Sequence, residues 1–154
     1  MRLDIEFSGD ELLSAELTNL TRKWKSGVVQ AGFFRTKQAT VANILEYGAP
    51  AANIPPRPFM RLSVAQQEGI WVNFLSKRLG KGDDTKTALE AVGGMMRLAI
   101  SRNVLAGIQF TRNADRTIAK KGFNRPLWET GAMYRAVAFK VYSGKKYIRQ
   151  GEEG

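Results

Sequence analysis

The stretch LEYGAPAANIPPRPFMR, residues 45–61, decides how the rest of the chain is read. A short helical pattern carried by Val41, Ile44 and Leu45 runs into it and stops at Gly48, the residue type that accepts a left-handed helix end. Pro50, Pro55, Pro56 and Pro58 then fix the backbone. A residue before proline is pushed towards extended geometry, so Ile54 to Pro58 is expected as a stiff, polyproline-like connector. It should deliver Phe59 and Met60 to the start of a new helix. A second cassette, TIAKKGFNRPLWETGAM at 117–133, is expected to close a basic loop on Pro126, Leu127 and Trp128. It then turns at Gly131 and enters a strand from Met133.

Working outward, Val28 to Phe34 reads as a buried strand and about 38–47 as a helix. Further upstream, Leu3, Ile5 and Phe7 alternate with Asp4 and Glu6, as in a half-exposed strand. Ser8-x-x-Glu11 fits a capping box for a helix with Leu13, Leu17, Leu20 and Trp24 on one face. Downstream, 59–79 is expected as a helix anchored by Trp71, Phe74, Leu75 and Leu79. After the break GKGDD, another at about 86–106 keeps Leu89, Val92, Met96 and Ala99 in register. Thr87-x-x-Glu90 fits a capping box there. Gly93 and Gly94 sit inside that pattern at about 1 kcal/mol each relative to alanine. Close approach of another backbone is preferred to a kink, since the adjacent Met95 and Met96 can fill around it. Met133, Val137, Phe139 and Val141 then alternate along a last strand, with Arg135 on its apolar side. Ser143-Gly144 is a turn candidate from which Tyr147-Ile148 pairs back. The fold class is therefore α+β, a small antiparallel sheet packed on one face by three to four helices. One domain spans 1–154, with a flexible basic loop at about 107–127 and a frayed tail at about 150–154.

Composition narrows the chemistry. The 154 residues include neither cysteine nor histidine, which removes thiolate and imidazole mechanisms and the usual zinc sites. Asp83–Asp84 could hold Mg²⁺ in a nuclease, but a metal site needs further converging oxygens, and a solvated turn before a helix is the favoured reading. An enzyme is not expected, nor any cofactor, metal or small-molecule substrate. No apolar run reaches the ~18 residues of a membrane span, and MRLDIEF lacks the apolar stretch of a secretory signal, so synthesis in the cytoplasm is expected. Charge is uneven: residues 97–149 carry 12 lysines and arginines against Asp115 and Glu129, while the remainder carries 12 of each sign. The net +10 therefore resides in one stretch, and such asymmetry suggests a surface facing something anionic.

Together the cassettes resemble a family of tailed bacteriophages, the head–tail joining, neck or tail-completion proteins. The resemblance rests on Leu45, Glu46 and Gly48; on Ile54, Pro55, Arg57, Pro58 and Phe59; and on Lys121, Gly122, Pro126, Leu127, Thr130 and Gly131, in order across roughly 28–141. It implies a structural virion protein at the neck, made in the host bacterial cytoplasm. Copies would form a homo-oligomeric ring, hexameric or dodecameric, between portal-adaptor and tail-side proteins, near the packaged DNA. Candidate partner contacts are Pro56, Arg57 and Phe59, then Arg112, Arg116, Lys120, Lys121, Arg125 and Trp128. Docking of the basic loop on an acidic protein surface is preferred over DNA binding, since a DNA conduit should not grip its cargo. The alternative is a small basic nucleic-acid-binding module, resting on a pI of about 10.2 and on cations interleaved with Phe110, Phe123 and Trp128.

Overall fold

A computed structural model of the chain describes residues 2–5, 26–107, 109–143 and 146–151. Strands β1 (Arg2–Ile5), β2 (Gly27–Phe33), β3 (Val137–Ser143) and β4 (Lys146–Gly151) form one antiparallel sheet in the order β1-β2-β3-β4. Helices α1 (Thr36–Tyr47), α2 (Phe59–Gly80) and α3 (Thr85–Ala106) lie between β2 and β3, followed by the short α4 (Asp115–Lys121) and α5 (Ala132–Arg135). The fold is α+β, as expected. The capping box at Ser8 and the helix from Leu13 to Trp24 lie outside the described residues, as do Phe7 and Gly144.

Register explains the layering. Val29 pairs with Val141, Ala31 with Phe139 and Phe33 with Val137, which puts apolar side chains of both central strands on one face. The alternate pairs, Val28 with Tyr142 and Gln30 with Lys140, are only half-buried. Leu89, Val92, Met96 and Ile100 of α3 are essentially fully buried and join the same core cluster, each side chain contributing about 1.5–3 kcal/mol. Gly93 sits on this face because a Cβ there would overlap the Phe139 ring, so α3 passes through Gly93-Gly94 unbroken. Helix α2 adds Phe59, Trp71, Leu75 and Leu79, and it is tied to α3 by Asn103 Nδ2 donating to Ser63 Oγ at 2.8 Å.

Several expectations change. The connector 54–58 is not extended throughout: Phe59 N donates to Arg57 O across Pro58 (φ −77°, ψ 59°), an inverse γ-turn that swings the chain into α2. Helix α4 occupies part of the expected loop 107–127. Met133 and Arg135 belong to α5 rather than the last strand, and Arg135 Nη2 returns to Thr130 O at 2.9 Å. That removes the misplaced charge from the strand's apolar face. Gln150 and Gly151 pair with Lys140 and Phe139, so the strand reaches into the tail expected to fray.

Asp84, not Thr87, caps α3: its carboxylate accepts from Thr87 N at 3.0 Å and from Thr87 Oγ1 at 2.7 Å. Asp83 forms an ion pair with Arg78. Both carboxylates of the candidate Mg²⁺ pair thus have structural partners. The Thr87 bonds hold the Asp84 carboxyl below its ordinary value of 3.8, so its stabilisation is present above that value and is lost as pH falls through the lower folded value. Asp84→Ala should cost about 1 kcal/mol at pH 7, a small effect because the group is exposed. In chemical denaturation the gap between the two proteins should narrow in acid below about pH 4.

Candidate functional site

The first cassette is held by a carboxylate. Glu46, in the last turn of α1, is 3% exposed. Its Oε2 accepts from Met60 N at 2.9 Å, and its Oε1 accepts from Arg61 N and Arg61 Nε, both at 3.0 Å. Those amides belong to the first turn of α2, where the helix leaves donors unpaired and its dipole favours negative charge. Arg61 Nη2 returns to Glu46 O at 3.0 Å, and its guanidinium lies 4.9 Å from the Tyr47 ring centroid. One side chain therefore caps a helix that begins thirteen residues later. The chain reverses at Gly48, where φ is 77° and a Cβ would stand 2.8 Å from Ile54 O and 2.9 Å from Pro56 N. Gly48→Ala should lower stability by about 2 kcal/mol, read from the urea midpoint.

Arg57 joins this cassette to the region around the second. It is 5% exposed, and its Nε donates to Thr111 O at 3.1 Å. Its Nη2 donates to Arg112 O at 3.5 Å and to Asn113 Oδ1 at 3.3 Å. Its backbone N–H donates to Leu45 O at 2.7 Å. All three side-chain acceptors are neutral, and burial lowers the guanidinium's pKa. Asn113 is 6% exposed; its backbone N–H donates to Asn124 Oδ1 at 3.1 Å, and its Nδ2 is buried without a partner.

Between the cassettes lies a groove of ≈ 510 Å³. Val41, Leu45, Ile54, Leu127, Trp128 and Met133 give it an apolar lining, and Arg57, Asn113, Lys121 and Glu129 supply polar groups. Lys121 Nζ donates to Arg125 O at 2.9 Å and stands 5.1 Å from the Phe123 ring centroid. Burial lowers its pKa; Glu129 acts in the opposite sense, and the charge of Arg57 adds to the lowering. Leu127 has φ 62°, rare for a branched side chain, and is nevertheless 8% exposed in the groove wall. Backbone strain of this kind persists only where surrounding structure enforces it.

The candidate contacts divide. Phe59 is a correction: it is 0% exposed, meets Phe33 edge-on at 5.9 Å, and belongs to the core. Arg57 is mainly an internal clamp rather than an outward contact. Pro56, Arg112, Arg116 and Lys120 are exposed, with Arg112 paired to Asp115 at 2.7 Å. Arg125 is half-buried; its Nε donates to Leu105 O at 3.1 Å, closing the end of α3, and its guanidinium covers Trp128 at 4.8 Å. Trp128 and Lys121 are half-buried at the groove. Asn113 does not stand out in the sequence, because a lone asparagine in a polar stretch carries no pattern.

No family model, curated protein or solved structure matches the chain. Among the described residues, no helix is long and apolar enough to cross a membrane.

Proposed function

We propose that this chain is a structural component of a phage neck, a head–tail joining or tail-completion protein that acts by assembling into a ring and presenting fixed surfaces to the layers above and below. One observation carries the reading. The two motif segments that suggest the family line one groove, and Arg57 of the first is bonded to residues 111–113, which Asn113 N in turn ties to Asn124 of the second. Four of the signature residues contribute to one frame. Glu46 caps α2, Gly48 permits the reversal, Arg57 clamps 111–113, and Phe59 anchors the connector in the core. Such a frame suits a part whose work is to hold shape in a repeating assembly, where many modest contacts replace one strong one. Among the described strands, β1 and β4 are the sheet edges, natural places for pairing with a neighbouring copy.

The nucleic-acid reading keeps the exposed cations Arg112, Arg116 and Lys120 in its favour. Against it, Arg125 already covers one face of Trp128 and Lys121 one face of Phe123, which leaves each ring at most one face for a base. Two measurements separate the readings. Electron microscopy of purified protein mixed with its neighbouring neck components should show rings. A mobility shift with duplex DNA at two salt concentrations should show only weak binding. Strict monomers together with sub-micromolar, strongly salt-dependent DNA binding would favour the module instead.

A further inference from the structure

We propose that the groove between the cassettes receives a carboxylate side chain borne on an apolar peptide segment of a neighbouring protein, bound by Arg57 Nη1 and Lys121 Nζ beside the Asn113 amide. The Asn113 amide is oriented by its own chemistry: Oδ1 must face the Arg57 Nη2 donor, which leaves Nδ2 in the buried position with nothing to donate to. That buried donor has no partner among the described residues, and it belongs to a residue lining a groove. Arg57 uses Nε and Nη2 on its internal acceptors and leaves Nη1 over. Lys121 uses one of its three protons on Arg125 O. Among the described residues, neither cation has an ion-pair partner, and the nearby Glu129 is exposed.

The occupant follows from charge and shape. Two partly desolvated cations lining one groove ask for an anion with two acceptor oxygens, and a carboxylate accepts well from guanidinium and ammonium together. The apolar walls ask for aliphatic side chains beside it. A duplex phosphate is excluded by reach, because Arg57 is only 5% exposed and a rigid double helix cannot enter a groove of ≈ 510 Å³. A flexible peptide side chain can. This deepens the neck reading by giving the chemistry of the docked partner. It is measured on the isolated protein, so absence of peptide binding and absence of a neck role are separate results.

The test is calorimetric titration of the full chain with two blocked tripeptides, acetyl-Leu-Glu-Leu-amide and acetyl-Leu-Gln-Leu-amide, and competition by a short DNA duplex. The glutamate peptide should bind at least about tenfold more tightly than its glutamine isostere. Asn113→Asp should remove that preference while leaving the melting temperature unchanged or raised, because the new carboxylate pairs with Arg57 and repels the ligand. Lys121→Met, at the half-exposed wall, should weaken the glutamate peptide alone and keeps the test available if the first variant does not fold. Equal binding of the two peptides, unaltered affinity in a folded variant, displacement of the peptide by duplex, or no binding at millimolar peptide would each overturn the proposal.

Discussion

Phe59→Ala should lower the unfolding free energy by about 4 kcal/mol, a large part of the roughly 5–15 kcal/mol that holds a domain of this size. The ring is 0% exposed and meets Phe33 at an interplanar angle of 87°. Removing it leaves a cavity where the proline connector enters the core. The backbone bonds at this position survive the change: Phe59 O would still accept from Ser63 Oγ at 2.8 Å and from Asn103 Nδ2 at 3.4 Å. The loss is therefore one of packing, and urea denaturation should show a lower midpoint with an unchanged slope. A change below about 1 kcal/mol would place Phe59 at a contact surface instead, contrary to its burial.

Glu46→Ala should cost about 3 kcal/mol. The substitution strips the acceptor from two first-turn amides of α2 and from the Arg61 guanidinium. It also removes the negative charge at a helix N-terminus, which contributes separately. Hydrogen exchange should localise the damage, with protection lost first at Met60 and Arg61. A double-mutant cycle with Arg61→Ala should return a positive coupling, smaller than the single Glu46 effect, because the backbone amides do not depend on the Arg61 side chain. Glu46→Gln should recover only part of the loss, since the amide keeps one acceptor oxygen and turns a donor towards a neighbouring N–H.

Where apolar spacing runs long, the sequence is legible. The helices expected at 59–79 and 86–106 are Phe59–Gly80 and Thr85–Ala106, and the apolar face of β3 does carry Val137, Phe139 and Val141. Helix α4 escapes such a reading because its seven residues offer no apolar period. Its local signature is present all the same: Asp115 in the first turn, Lys120 and Lys121 in the last, and Gly122 in the left-handed position after them. Asp84 and Thr87 are both acceptable caps, and which of them starts α3 depends on where the preceding turn ends. Arg57 stands out in the sequence, yet as an outward contact rather than the clamp it is. Spacing cannot distinguish an arginine on the surface from one whose acceptors arrive from a segment 54 residues away in the chain. Asn113 is illegible for the same reason, since its meaning depends wholly on Arg57.

Removal of the gene from a phage that carries it tests the neck role most directly. Cells infected or induced without the protein should accumulate DNA-filled heads and finished tails that do not join, and adding back the intact chain should restore whole virions. Normal, infectious particles from the deletion would contradict the role outright.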